Sequence, residues 1–435
     1  AMGYLRIIAP YTLAGYEIIS GFVNNQLNVD VIRLVDYVII QREFPAYFPA
    51  YKQIIQNAQK YQKPVIYEID DLLFFLPKNH PDRLTHNFSS SLLPIWQAVH
   101  EADFVTVSTK RLKDNLFDTN PNIFIIPNFF DDKLWKLKTP ILKDNNDQEL
   151  IIGYMGTNSH QPDLLPILPI IKKLINNYPK KLKFRIWGLK PPDEFLIGGK
   201  IEWSPFYSMN YREFAQFFQT QSADIFISPL IENEFNKCKS PIKFFEYTSL
   251  GVPGIYSSIE PYSGIIKNNV TGVLAESIED WERNLTTLIQ DPKLRYQLAV
   301  NAQIYVKGNW LLSENRNTIN NFLEKVNDYP KRKLTKNINV IESINQQNFD
   351  YFRYIQDKLI NNENVINQLN STNHQLENYL VDAKEEIYRL RNEVQDKNDK
   401  IRNLQNEIAL YYLSRSWRIT RPFRKIKKYF QRNKC

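Results

Sequence analysis

Cysteine is nearly absent. Cys238 and Cys435 are the only two in 435 residues, too few for a disulfide framework or a zinc site, so a reducing, cytoplasmic compartment fits best. No stretch approaches about 18 consecutive apolar residues, and no transmembrane helix is expected. Residues Ala1 to Ile8 lack a basic region followed by an apolar core and a small-residue cleavage site. Secretion is therefore not encoded there, and Ala1 before Met2 reads as an added residue. No Asp-x-Asp motif stands in a suitable loop, so neither a metal nor another cofactor is expected.

What is present is a chain of ordinary globular composition, 43% apolar and 23% charged, long enough for two or three domains. The net charge of +8 is local: residues 413–435 hold nine basic side chains and no acid, and the rest carries 46 bases against 47 acids. The body is a near-neutral globule with a cationic tail, which argues against a nucleic-acid partner.

Strand-length, β-branched runs at Tyr4–Ile8, Val35–Ile40, Val65–Ile69, Phe104–Ser108 and Ile123–Pro127 alternate with helical spacing at Tyr47–Tyr61 and Ser91–Ala102. Alternation of this kind predicts a parallel sheet covered on both faces. After a polar linker around Lys136–Gln148 the rhythm restarts. Strands are expected at 150–155, 182–187, 224–228, 253–257 and 273–275, and helices at 163–176, 211–219, 241–250, 278–290 and 293–306.

The fold class expected is α/β, with two Rossmann-like doubly wound domains at 1–145 and 146–327. A ligand cleft should lie between the carboxyl ends of their sheets. A linker at 328–349 precedes a heptad repeat at 350–412, in which fifteen of eighteen a and d positions are apolar. That pattern predicts a coiled coil and a homo-oligomer, with Asn373 at an a position favouring one register; a single helix folding back on the globule is the alternative.

Three groups of residues carry chemistry. Gly153-Tyr154-Met155-Gly156-Thr157 ends a strand, and its glycines could let backbone amides approach a phosphate, or could simply serve a tight turn. Ser240 and Pro241 suit the N-cap and first position of a helix, and Lys239 and Lys243 bracket an N-terminus where an anion is already favoured. Glu246 follows in the second turn. Asp70 and Asp71 directly follow the strand Val65–Ile69, where a carboxylate could take the proton of an attacking hydroxyl, or could cap a helix or pair with a cation. His80, His86 and His160 are further titratable candidates for the cleft.

The runs KSPIKFFEYTSLGVPGIYSS and PYSGIIKNNVTG, with IGYMGTNSHQPDL, YEIDDLLFFLP, VSTKRL and IIPNFFDDKLW, occur in one order over residues 4–325. In them the chain resembles the GT-B glycosyltransferases of the large family that includes many bacterial polysaccharide transferases. The resemblance implies a nucleotide-diphosphate-sugar donor in the second domain, a glycan or lipid-linked glycan acceptor on the first, and a leaning to retention.

It also implies that Glu246 bonds the donor ribose as the second of two glutamates eight apart. The first would fall on Cys238, which cannot replace a carboxylate, so Asn236, Lys239 and Glu234 become candidates for sugar recognition. Gly156, Thr157 and Ser240 fall to the donor loops. Lys239 and Lys243 would stabilise the leaving diphosphate, with Asp70 and Asp71 on the acceptor side. Two alternatives stay open: a non-catalytic scaffold of the same fold, with Cys238 marking lost catalysis, and a sugar-nucleotide epimerase.

The tail interleaves Trp417, Ile419, Phe423, Ile426, Tyr429 and Phe430 with its nine cations. This composition suits an anionic membrane surface, each cation adding about 1 kcal/mol, so peripheral attachment at the inner face is expected. RNA is the competing partner for such a stretch.

Overall fold

A computed structural model describes residues 2–24, 26–143, 149–196, 199–205, 210–328, 339–361 and 363–413. The chain divides into two units, Ala1–Phe352 and Arg353–Cys435, treated separately below.

In the first domain β1 (Val38–Gln41), β2 (Val65–Ile69), β3 (Phe104–Val107) and β4 (Ile123–Ile125) pair in that order, all parallel. Every position of β2 and β3 is buried, which is why both read as apolar runs interrupted only by Glu68 and Thr106. Helices α1 (Phe48–Lys60), α2 (Leu92–Glu101) and α3 (Lys110–Leu116) connect the strands.

Tyr4–Ile8, expected as a strand, is instead a π-helical turn leading into a helix at Ala9–Leu13. Helical spacing places Ile7 and Tyr11, four apart, against Ile66, Phe104 and Phe322, while Arg6 turns toward β2. There the Arg6 guanidinium, almost wholly buried, donates through Nε to Glu68 at 2.7 Å and through Nη1 to Asn128 at 3.0 Å. Among the described residues the first sheet therefore runs in one direction only. The reversal of strand order expected in both domains is found in the second alone.

That second sheet has the order β10-β9-β8-β5-β6-β7, all parallel. Its strands are β5 (Leu150–Gly156), β6 (Leu182–Gly188), β7 (Ile201–Ser204), β8 (Ile225–Ser228), β9 (Gly254–Ser257) and β10 (Val273–Ala275). The edge strand β7 was not expected. Around them stand α4 (Leu168–Asn177), α5 (Tyr211–Gln219), α6 (Ile242–Ser249), α7 (Ile278–Gln290) and α8 (Pro292–Asn309). Strand order reverses between β5 and β8, and the crevice at their carboxyl ends is where such sheets bind ligands.

Two segments depart from the expected boundaries. Helix α9 (Asn317–Asn327), assigned by sequence to the second domain, crosses back to the first sheet. Its apolar face at Ile319, Phe322, Leu323 and Val326 is completed by first-domain side chains, among them Tyr11, Ile66, Phe104, Phe124 and Ile126. Helix α10 (Asn339–Asn361) begins inside the expected 328–349 linker. It docks on the first domain through Glu342 with Lys52 at 2.7 Å, through the Asn345 amide donating to Gln97 Oε1, and through Phe349 against Phe48.

The second unit contains helix α11 (Glu363–Leu413). Its seam side chains Ile387, Leu390, Val394, Ile401, Leu404 and Ile408 are each about half exposed. Those of 354–383, and the tail from 414 onward, lie outside the described residues. No helix of the described residues is long and apolar enough to cross a membrane.

Candidate functional site

Between the two domains lies a cleft of about 300 Å³ at the carboxyl ends of β2, β5 and β8. The first domain contributes Arg42, Asp70, Asp71, His80 and Asn128; the second contributes Ser159, His160, Lys239, Ser240 and Lys243. A larger hollow of about 490 Å³ adjoins it, sharing Leu73, Asp82 and Phe88, with His86 on its wall. The cleft is the candidate site because there the charged groups of both domains meet.

Arg42 ends β1 as Asp70 ends β2, and sequence reasoning missed it although its position follows the same rule. Its Nη1 donates to Asp70 at 3.0 Å and to Asp71 at 2.6 Å, and its Nη2 reaches Glu43. Burial pushes the Asp70 carboxyl up to about 7, with Arg42 opposing and Asp71 and Glu68 adding to the rise. The Asp70 side chain is 4% exposed and that of Asp71 30%, so Asp71 is the one a substrate hydroxyl can reach.

On the other wall α6 opens at Ile242, with Pro241 in the capping position. Ser240 does not cap the helix as expected: its hydroxyl accepts from Asn128 Nδ2 at 2.7 Å, bridging the domains. Lys243 projects from the first turn beneath the cleft, 4.9 Å from the centre of the Tyr154 ring, and its Nζ has no hydrogen-bond partner among the described residues. Burial, then the neighbouring Lys239, push its ammonium down to about 8. An ammonium held this way lacks a counter-ion, and burying such a charge is costly unless one is supplied.

Lys239 stands 3.4 Å from His160 Nδ1 and 4.0 Å from Asp163 Oδ2, over the Phe235 ring. Asp163 organises this wall. Its Oδ1 accepts from the Ile231 amide at 2.9 Å and from Asn236 Nδ2 at 2.8 Å, and its Oδ2 lies 3.1 Å from His160 Nδ1. Burial alone would raise Asp163, but the bond from His160 and the charge of Lys239 outweigh it and hold the carboxyl at about 2. Burial, with Lys239 and Lys243, pushes His160 down to about 3, so the ring is neutral.

Several expected donor contacts are placed elsewhere. Asn236 is spent on Asp163 and on the Ile231 carbonyl, and Glu234 pairs with Arg111 of the first domain at 2.7 Å. A Cβ on Gly156 would meet the Tyr154 hydroxyl at 2.6 Å and one on Gly153 would meet Phe226, so ring packing demands both glycines. Thr157 is exposed, its hydroxyl 2.8 Å from that of Ser159, and the helix after this loop, Gln161–Leu164, is only four residues long.

Cys238 faces the first domain's core, its carbonyl accepting from Thr109 Oγ1 at 2.9 Å. Glu246 is set back from the cleft wall. Its Oε1 accepts from the Tyr211 hydroxyl at 3.1 Å, its Oε2 is unpartnered among the described residues, and burial pushes it up to about 8 against the pull of Tyr211 and Lys243. No group of three His, Cys, Asp or Glu side chains among the described residues could hold a metal ion.

No protein-family model matches the chain, and no curated protein matches it in sequence. Solved structures do align with it at low identity. TarM is 14% identical over 68% of this chain with a TM-score of 0.49, and this chain spans 58% of TarM's length. Sucrose-phosphate synthase from Thermosynechococcus elongatus is 12% identical over 67% of this chain and 73% of its own, at 0.48. Anabaena HepE in complex with UDP-glucose is 13% identical over 69% and 81%, at 0.49. In the order of its motifs and in its two parallel sheets facing one cleft, the chain resembles the GT-B glycosyltransferases.

Proposed function

We propose that the protein transfers a sugar from a nucleotide-diphosphate donor to a glycan or lipid-linked glycan acceptor in surface polysaccharide or glycoconjugate synthesis. The observation that carries this reading is Lys243, a buried ammonium without a partner among the described residues, lining the same cleft as Arg42, Asp70 and Asp71 of the other domain. A diphosphate is the anion that would complete it, with Lys239 beside it. The attacking hydroxyl would then approach Asp71, and Glu246, set back behind the wall with one oxygen unpartnered among the described residues, is the group the resemblance assigns to the ribose. HepE, solved with UDP-glucose, makes uridine nucleotides the first donors to try.

Calorimetric titration tests this. Lys243→Ala should weaken nucleoside-diphosphate binding by about tenfold or more, the worth of a charge-assisted contact. In the wild type, a bound diphosphate raises the depressed Lys243 value, so binding at pH 8 takes up protons, and uptake fades toward pH 6, where Lys243 is already charged. No binding of UDP-, GDP- or dTDP-sugars to the folded protein would instead favour the scaffold reading, which Cys238 motivates.

The assembly is the second part of the proposal. The half-exposed a and d side chains of α11 bury themselves against a second copy, forming a parallel coiled coil, and the cationic tail then rests on anionic lipid. Sedimentation of the full chain should give a dimer at micromolar concentration. A chain ending at residue 352, which keeps the docked start of α10, should sediment as a monomer. A monomeric full chain would remove the seam.

A further inference from the structure

His80 and His160 both line the cleft; His160 is engaged by Asp163 and Lys239, while the proposed reaction gives His80 no task. It caps the short helix Pro81–Leu84, its Nδ1 accepting the Asp82 amide hydrogen at 3.2 Å. With that lone pair engaged, the ring proton sits on Nε2, which has no partner among the described residues and is shut off from solvent. The ring stands edge-on to Phe235 of the second domain, centroids 5.1 Å apart, and Lys239 Nζ lies 4.8 Å from the centre of the same Phe235 ring. Burial holds His80 below the usual histidine range; Asp82, Lys239, Asp163 and Asp71 are the charges acting on it, and the ring is neutral at physiological pH.

The position decides what such a proton could serve. A diphosphate at Lys239 and Lys243 and a hydroxyl arriving at Asp71 leave one place for the sugar that is transferred, between those two walls, and His80 lines that place. We propose that His80 contacts the transferred sugar, its Nε2–H donating a hydrogen bond to a hydroxyl oxygen of that sugar as substrate parts His80 from Phe235. Buried donors are nearly always paired, and a ligand oxygen would complete this one. The inference rests on the proposed function. It assigns His80 to selectivity for the sugar, separate from affinity for the nucleotide.

The test compares the tightest binder among UDP-, GDP- and dTDP-glucose with its own nucleoside diphosphate, by titration calorimetry. His80→Asn keeps an oxygen at the capping position and lacks the far proton, whereas His80→Gln carries an amide proton near Nε2. The Asn variant should bind the sugar nucleotide about tenfold more weakly, equivalent to about 1.4 kcal/mol, while the nucleoside diphosphate stays within about twofold of wild type. The Gln variant should recover most of the loss. Wild-type affinity of His80→Asn for the sugar nucleotide, or equal weakening of both ligands, overturns the assignment and leaves the transferase reading standing. A wild-type protein that binds none of these nucleotides overturns both together.

Discussion

Arg6→Met should lower the free energy of unfolding by about 3–5 kcal/mol, the usual result of removing one partner from a buried ion pair. Arg6 and Glu68 are 1% and 2% exposed at the side chain and 2.7 Å apart, and Arg6 also binds Asn128, so the variant strands a carboxylate inside the first domain. Burial already raises the Glu68 carboxyl, with Arg6 opposing. Deleting that opposition raises it further. An acid whose value is higher in the folded than in the unfolded state costs stability as pH rises through the unfolded value toward the folded one. The loss should therefore be smallest under acid conditions and grow toward neutrality. Denaturant unfolding at pH 5 and pH 8 reads the difference, and a companion Arg6→Met/Glu68→Met variant should recover most of it. Equal losses at both pH values would mean that lost packing, and not the stranded charge, is responsible.

Asp71→Asn should reduce transfer by about 10²–10⁴-fold, the range for a positioned acid–base group, while leaving nucleotide affinity unchanged. Asp71 is the accessible member of the pair held by Arg42 and belongs to the acceptor side, away from Lys243. The Asp70 carboxyl, pushed up to about 7, adds a pH dependence. Below that value Asp70 is neutral and Arg42 loses part of its counter-charge; above it Asp70 is charged and Arg42 regains it. Transfer should rise through about pH 7 in the wild type, and Asp70→Asn should flatten that rise. Initial rates with the donor identified by titration are the measurement, and normal turnover by Asp71→Asn would remove it from the site.

Legibility in the sequence followed the range of the interactions. Strands β2, β3, β5 and β8 could be read because burial on both faces leaves a local signature of short, mostly apolar runs. Tyr4–Ile8 could not, since its apolar spacing serves either period and the partner that decides, Glu68, is 62 residues away. Helix α9 was invisible because its apolar face is completed by another domain, and β7 is a four-residue edge strand.

Within the site, Asp70, Asp71, Lys239 and Lys243 stood where helix and strand ends predict chemistry, and the structure brings them to one cleft. Arg42 obeys the same rule and was passed over. Ser240 misled: Ser-Pro before a helix is a sound capping pattern, but its hydroxyl is claimed by Asn128, 112 residues away. Asp163 carries no local motif of its own, and its role comes from convergence of Ile231, Asn236 and His160 on two oxygens.

The segment 233–241 that carries Lys239 is clasped by the opposite domain at four points: Arg111 on Glu234, Thr109 on the Cys238 carbonyl, Asn115 on the Cys238 sulfur and Asn128 on Ser240. Its consequence is kinetic. Under the proposed function, a product nucleotide at Lys239 and Lys243 would rest on a segment whose position is set by contacts with the acceptor-side wall. Residence time of the spent nucleotide, and with it turnover, would then depend on how readily the two domains part, as in enzymes whose product release sets the pace.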